Sequence, residues 1–305
     1  MMIIAVGDLV WDVLVQPDDV LQPGGDTTGR IELAPGGSAA NVAVWVARAG
    51  ASAGFIGSVG RDALGDLIVA DLVAEGVAAH VSRTAERGTG VILALIAADG
   101  QRSMVTNQGA DFCLRPADLP HAVLQQCRHV HLTAWSLFSD PPRSAALAAA
   151  RLARAAGASI SFDPASFQMI EQLGRAAFDQ LVADLPLDIV FPNRDEARVL
   201  SGSDDPATMA LRLHEQYRGA IIALKLDADG CMVVADGRLR ATPASPLARA
   251  VDSTGAGDAF DGVFLASYLA DGDLERAARR ANHAGAWVVA RDGARPAVDR
   301  TRERF

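Results

Sequence analysis

The sequence predicts an α/β protein: a mainly parallel sheet with helices on both faces, plus a small β-sheet lid. Three observations carry that reading. Short apolar runs alternate with longer stretches of helical periodicity along most of the chain, the pattern of βα units building a parallel sheet. Two stretches, residues 10–34 and 88–108, break the alternation and read as β structure of another kind. The 305 residues are half apolar, enough for one large core, and no linker of disordered composition divides them. The expected organisation is one unit over residues 1–305, with the lid formed by the two exceptional stretches. No internal repeat is visible.

Ile3–Val6 is an apolar run closed by Gly7, and it reads as a buried strand. Asp8 and Asp12 follow it, where open α/β sheets bind ligands. Residues 10–33 mix short alternating pieces with Pro17, Pro23, Gly24, Gly25 and Gly29, which predicts a strand-poor excursion from the main sheet. The excursion ends at Pro35-Gly36-Gly37-Ser38-Ala39-Ala40-Asn41. Val42, Trp45, Val46 and Ala49 then keep helical spacing until Gly50. Asn41 falls near the start of that helix. Gly36-Gly37 lets a ligand approach the backbone, or is simply a glycine turn whose asparagine satisfies nearby backbone. Residues 55–59 read as a second strand. Asp62 is a candidate N-cap for a helix carrying Leu64, Leu67, Ile68 and Leu72 and ending at Gly76. Residues 91–97, Asp99-Gly100 and Arg102–Thr106 form a hairpin pattern that fits a parallel sheet poorly and is assigned to the lid. From about residue 110, strands at 130–132, 159–162, 189–191, 221–226 and Cys231–Ala235 are joined by helices at 143–156, 178–184 and 194–200. Two more helices follow at 256–269 and 274–290.

The net charge of -9, from 28 basic and 37 acidic residues, argues against nucleic acid or an anionic membrane as a partner. It leaves room for an anionic substrate held locally. Cys113, Cys127 and Cys231 form no CxxC pair and read as thiols of a reducing compartment. The first residues lack a basic region and read as a strand, not a signal peptide. No apolar run approaches the roughly 20 residues that span a bilayer. A soluble cytoplasmic protein is expected. The first loop carries no GxGxxG, and GxxxxGK(S/T) occurs nowhere, which argues against a nicotinamide dehydrogenase and a Walker-type NTPase. His129 and His131 share one face of a strand, but no third metal ligand accompanies them.

The most informative stretch is Val251-Asp252-Ser253-Thr254-Gly255-Ala256-Gly257-Asp258-Ala259-Phe260. A small-residue turn leading into a helix leaves backbone N–H groups free at the positive end of the dipole, a cradle for an anion. Asp258 would lie in the first turn beside it. Phosphoryl transfer needs both charge stabilisation and a group that takes a hydroxyl proton. The alternative is an ordinary helix start whose aspartate complements the dipole. Asn193 and Glu196 are equally two-sided. Their spacing is nearly that of a capping box, and it also places two oxygen donors beyond a strand end, suited to Mg²⁺ held through water.

Together these motifs resemble the ribokinase family of carbohydrate kinases, over essentially the whole chain. Residues 252–260 are similar to the family's C-terminal signature. Gly36-Gly37-Ser38-Ala39-Ala40-Asn41-Val42-Ala43, with Gly57-Ser58-Val59-Gly60-Arg61-Asp62-Ala63-Leu64-Gly65, are similar to its N-terminal one. Asn193-Arg194-Asp195-Glu196 resembles its magnesium-associated NxxE. The resemblance implies a Rossmann-like three-layer α/β/α domain whose β lid closes over a sugar, with ATP and Mg²⁺ as cofactors. It implies Asp258 as the base and the amides of Gly255, Ala256, Gly257 and Asp258 as an anion hole for the γ-phosphate. Asp12, Gly37, Ser38 and Asn41 would meet the sugar. Asn193, Lys225, Gly230, Gly255, Gly257 and Asn282 would meet ATP. Asn193 and Glu196 would hold Mg²⁺ through water, and Asp252 and Thr254 stand where several members bind a monovalent cation such as K⁺. A homodimer through the lid is implied by the same analogy.

The chain departs from the family pattern at three places. Many relatives have glycine where Asp227 follows Lys225-Leu226, although Gly230 is retained. Members acting on phosphorylated sugars often carry lysine where Ser38 stands. Arginine often precedes Gly109-Ala110 where Gln108 stands here, which removes a partner for a substrate carboxylate. The expected activity is therefore ATP-dependent phosphorylation of a small unphosphorylated sugar, ribose- or fructose-like. The alternatives are a nucleoside kinase or a 2-keto-3-deoxygluconate kinase. In the nucleoside case Val10, Trp11 and Val13, or Trp135 and Phe138, would stack on the base. A non-catalytic sugar sensor would be expected to have lost the base or the glycine turn, and both are present.

Overall fold

The computed structural model describes residues 2–96, 102–246, 249–299, 303 and 305. In chain order the first half comprises β1 (Ile3–Val6), β2 (Val10–Pro17), β3 (Gly29–Gly36), α1 (Ser38–Arg48), β4 (Ala53–Gly60), α2 (Ala63–Ala74), β5 (Ala78–Thr84), β6 (Gly90–Ile96) and β7 (Arg102–Thr106). Then come α3 (His121–Leu124), β8 (His129–Thr133), α4 (Pro142–Ala155), β9 (Ser159–Asp163), α5 (Phe167–Leu173), α6 (Arg175–Val182), β10 (Ile189–Val190), α7 (Arg194–Ser201) and α8 (Pro206–Gln216). The chain continues with β11 (Ile221–Lys225), β12 (Cys231–Ala235), β13 (Arg238–Thr242), α9 (Ala256–Asp271) and α10 (Leu274–Val289).

The large sheet runs β13-β12-β11-β10-β9-β8-β1-β4-β5, and the small one β3-β2-β6-β7. Neighbours from β5 across to β11 are parallel, and β12 and β13 are antiparallel. Helices cover both faces of the large sheet, so its central strands are apolar on both sides. Ile4, Val6, Leu132, Ile160 and Phe162 pack against α3 to α8. Ile3, Ala5, Phe55, Ile189 and Ala223 pack against α1, α2, α9 and α10. The three-layer α/β/α fold with a small β sheet is the one expected.

Two expectations need correction. The strand-poor excursion is two eight-residue antiparallel strands, β2 and β3. Most of its glycines and prolines occupy the connection between them, while residues 10–15 alternate inward and outward as strand residues do. The regular βα alternation also ends early, because β11, β12 and β13 form an antiparallel meander. The hairpin's strands, β6 and β7, pair as expected, and its Asp99-Gly100 turn lies outside the described residues. The strands β5 and β13 and the helices α3, α5 and α8 have no counterpart in the sequence reading.

His129 and His131 are fully buried in the face beneath α1 and α9, bonded to Ser159 and Ser161 at 2.6–2.8 Å. Burial pushes His131 down to about 4. They are neutral hydrogen-bonding groups of the core.

Candidate active site

Strand order reverses at β1: the chain reaches β4 and β5 on one side of it and β8 to β11 on the other. The carboxyl ends of β1 and β8 therefore open a crevice where doubly wound sheets bind ligands. Asp8 leaves β1 there, and Trp135 and Ser136 follow β8. The small sheet supplies the opposite wall of a cleft of about 310 Å³.

Side chains of a strand alternate between faces, and this sorts β2. Val10, Asp12 and Leu14 line the cleft. Trp11 is buried in the neighbouring core and donates its indole N–H to the Leu64 carbonyl at 2.9 Å. The apolar wall expected from Val10, Trp11 and Val13 is instead Val10 and Leu14, extended by Ile92, Ala94 and Met104. Trp135 reaches the cleft, whereas Phe138 packs against Trp135 and Phe178.

Two helix starts meet across this space. α1 begins after Gly37 (φ 94°), where a Cβ would come within 2.5 Å of the Asp8 carbonyl oxygen. The Asp8 carboxylate accepts the N–H groups of Ser38 and Ala39 at 2.8 and 3.1 Å and so caps α1. α9 begins after Gly255 (φ 73°), and no side chain caps it. The Ala256 N–H donates to the Ser253 carbonyl at 3.2 Å and the Ala259 N–H to the Gly255 carbonyl at 2.9 Å, which leaves the N–H groups of Gly257 and Asp258 available to a ligand at the positive end of a 16-residue helix. An open cradle at a glycine turn fits a phosphate group.

Asp258 sits in that first turn. Ser38 Oγ donates to its Oδ1 at 2.7 Å, and Asn41 Nδ2 donates to its Oδ2 at 2.7 Å. Burial pushes its carboxyl up to about 6, against the lowering effect of these two bonds. Asp12, Gly37, Ser38, Asn41, Thr254, Gly255 and Asp258 all line the one cleft.

Ala256, Gly257, Asn193, Glu196, Lys225, Gly230, Asp252 and Asn282 are not among its lining residues. Asn193 and Glu196 form the reciprocal capping box of α7, with bonds of 2.8 and 2.9 Å. Burial, with Asp163 nearby, pushes Glu196 up to about 8. Lys225 lies beneath the cradle, bonded to Asp163 at 2.7 Å and Asp261 at 3.1 Å. A Cβ on Gly257 would stand 3.3 Å from its ammonium. Asn282 donates to the carbonyls of Thr242 and Pro243. Gly230 (φ 87°) packs against the same turn, where a Cβ would meet the Thr242 carbonyl oxygen. Asp252 accepts the N–H groups of Thr254 and Gly293 at 2.8 and 3.0 Å. Among the described residues no group of three or more His, Cys, Asp or Glu is arranged to hold a metal. The oxygens of Asn193 and Glu196 are hard donors of the kind Mg²⁺ takes, directly or through water. Asp227, where relatives have glycine, adopts the left-handed conformation (φ 53°) that aspartate tolerates better than most residues.

Sequence reasoning missed two residues. Asp111 lines the cleft, and its Oδ1 is buried with no hydrogen-bond partner. Burial and the charge of Asp8 push its carboxyl up to about 7. Its sequence signal is the acid that closes the small-residue turn Gly109-Ala110-Asp111. Arg295, buried behind Asn41, carries no sequence signal of its own.

An acid poised beside an uncapped helix start, over a hydroxyl-lined cleft, suits phosphoryl transfer to an alcohol, and the chain is a phosphotransferase of that class. A family model described as pfkB family carbohydrate kinase matches residues 2–301, and the chain belongs to that family. The ATP-dependent ribose-1-phosphate kinase of Halopiger xanaduensis is 35% identical over 97% of this chain and 94% of that protein. The fructokinase of Klebsiella pneumoniae is 34% identical over 88% of this chain and 84% of that protein. Among solved structures, the adenosine kinase from Sinorhizobium meliloti aligns with a TM-score of 0.88 at 27% identity, covering 98% of this chain and 96% of that one. Membership implies ATP as the donor and a small-molecule sugar as the acceptor. Among the described residues no helix is long and apolar enough to cross a membrane.

Proposed function

We propose that this kinase transfers the γ-phosphate of ATP to a hydroxyl of a small unphosphorylated sugar, ribose- or fructose-like. Asp258 takes the hydroxyl proton, and the amides of Gly257 and Asp258 receive the developing charge on the phosphoryl oxygens. One observation carries the choice of substrate. Among the described residues lining the cleft are Asp8, Asp12, Asp111 and Asp258, and no lysine or arginine. Carboxylates accept hydroxyl donors and repel a sugar phosphate or a sugar acid. That argues against the phosphorylated substrate named for the Halopiger relative and against 2-keto-3-deoxygluconate. A nucleoside is the second reading, favoured by the apolar wall of Leu14, Ile92, Met104, Phe112 and Trp135.

ATP consumption should be compared with ribose, fructose, ribose 1-phosphate, 2-keto-3-deoxygluconate and adenosine as acceptors. Free ribose or fructose should give the highest kcat/KM. A preference for ribose 1-phosphate would overturn the reading, and turnover with none of the five would support a sugar sensor. Asp111→Asn should raise the KM for the preferred sugar by roughly tenfold, the worth of one hydrogen bond to a charged group, with ATP KM unchanged.

Lys225 lends positive charge from beneath the cradle, and Gly230 and Asn282 shape the nucleotide side. Asn193 and Glu196 would hold Mg²⁺ through water, and Asp252 and Thr254 a monovalent cation such as K⁺. Bound Mg²⁺ supplies charge neutralisation on the phosphates. Glu196→Gln keeps a capping box but cannot supply the carboxylate that bound Mg²⁺ would favour. It should raise the Mg²⁺ concentration for half-maximal rate by about 10–100-fold. A loss of thermal stability alone would leave Glu196 only its capping role.

The small sheet acts as a lid that closes over the sugar and excludes competing water. Its outer apolar residues, Ile31, Leu33 and Val105, are exposed and suit a second copy of the chain. The reaction belongs to the cytoplasm, where ATP is abundant.

A further inference from the structure

We propose that Arg295 is a positioning residue for phosphoryl transfer, fixing the side-chain amide of Asn41 so that its N–H, not its carbonyl, faces Asp258. The proposal rests on the reading of Asp258 as the base.

The two ends of an asparagine amide are nearly the same shape and opposite in role, one donor and one acceptor. Asn41 has a partner at each end. Its Nδ2 donates to Asp258 Oδ2 at 2.7 Å, and its Oδ1 accepts from Arg295 Nε at 2.7 Å. A guanidinium has no acceptor atom. Rotating the amide would set two donors against each other at Arg295 and two acceptors against each other at Asp258. Arg295 therefore decides the orientation, and the orientation decides whether the ionised base receives a hydrogen bond.

The guanidinium is itself held. Its side chain is 2% exposed. Nη2 donates to the Gly36 carbonyl at 3.0 Å, and Nη1 to Asp71 Oδ2 at 3.2 Å. The three N–H groups thus engage the end of β3, α1 and α2. The backbone on either side is fixed too. Trp45 Nε1 donates to the Ala294 carbonyl at 3.1 Å, and Arg48 Nη1 to the Pro296 carbonyl at 3.0 Å. Ala294 also packs on Gly255, where a Cβ would fall 2.4 Å from the Ala294 Cβ. One short segment therefore buttresses the glycine turn of the cradle and orients the partner of the base.

Other charged groups surround Asp258: Asp163 from β9, Lys225 from β11, Asp261 one turn along α9 and Asp8 from the end of β1. Arg48, Asp71 and Glu75 surround Arg295. These act on Asp258 through space. Arg295 acts on Asp258 through space as well, but it also acts through a hydrogen-bonded amide, and only that second route depends on Asn41. A freed Asn41 can turn its carbonyl to Asp258 and bond only the protonated acid. The neutral, non-basic form is then favoured.

The test is a set of kcat and KM profiles against pH for Arg295→Met, Arg295→Lys, Asn41→Leu and the double variant Arg295→Met/Asn41→Leu. Arg295→Met should lower kcat at neutral pH by about 10²-fold and move the acid limb to higher pH, so that the deficit narrows as pH rises. Arg295→Lys keeps one donor for Asn41. It should hold the acid limb in place while sugar KM rises with the loss of the Gly36 and Asp71 bonds. Arg295→Met should add little to Asn41→Leu, because both cut the same link. A loss uniform across pH, or fully additive losses in the cycle, would overturn the proposal. Should Arg295→Met fail to fold, a shifted acid limb in Arg295→Lys would overturn it equally. Failure of Asp258 as base reads out separately, as near-normal turnover of Asp258→Asn.

Discussion

Asp258→Asn is expected to lower kcat by about 10²–10⁴-fold, the usual contribution of a general base, while the Kd for sugar stays nearly unchanged. Asparagine keeps the size of the side chain and a carbonyl oxygen for Asn41 Nδ2. It removes the negative charge and with it the capacity to take a proton, and Ser38 Oγ can turn to accept from the new amide. Thermal stability should be kept or raised, since burial disfavours the ionised carboxylate in the folded protein. Stopped-flow and equilibrium binding separate the two parameters, and near-normal turnover would remove Asp258 from the role of base. The wild-type pH profile carries the same information. The active form is the carboxylate, and burial pushes its carboxyl up to about 6. Turnover should therefore fall as pH drops through about 6 and level off above it. An acid limb near the ordinary aspartate range would mean that the group is not titrating in the site.

Gly255→Ala should be nearly as damaging, through geometry rather than chemistry. Gly255 has φ 73°, and a Cβ there would fall 2.4 Å from the Ala294 Cβ and 2.5 Å from its Cα. Left-handed backbone costs an L-residue about 1–2 kcal/mol, and the clash adds overpacking on the order of 1–3 kcal/mol. The turn must open, and the first amides of α9 then miss the phosphate. Removing one preorganised donor typically costs about 10²–10³ in kcat. Steady-state kinetics beside a thermal melt decide the matter. Lowered stability with undiminished kcat would show that the amides of this turn do not stabilise the reaction.

Much of this was legible in local chemistry. Asp62 caps α2 through the Gly65 N–H at 2.8 Å, and residues 55–59 lie inside a strand buried along its whole length. The glycine turns at 37 and 255 mark helix starts in the structure as they did in the sequence. The small sheet was blurred because the prolines and glycines of one connection dominate the composition of residues 10–34, although β2 and β3 flank them. Trp11 is expected on an apolar wall stacking on a nucleoside base, but strand alternation sends it to the core. The Asn193–Glu196 spacing declared its capping box, yet a role toward metal depends on what binds nearby and leaves no separate mark. Arg295 was silent for a plainer reason. Its bond to Asn41 spans 254 positions, and neither periodicity nor a motif records such a contact.

That span has a temporal consequence. Every strand of both sheets and both glycine turns precede Arg295 in the order of synthesis. A nascent chain can therefore assemble the sheets, seat α9 against α1 and bring Asp258 to Asn41 while the amide between them is still free to rotate. The orientation of that amide is therefore set only once residues 294–296 have docked.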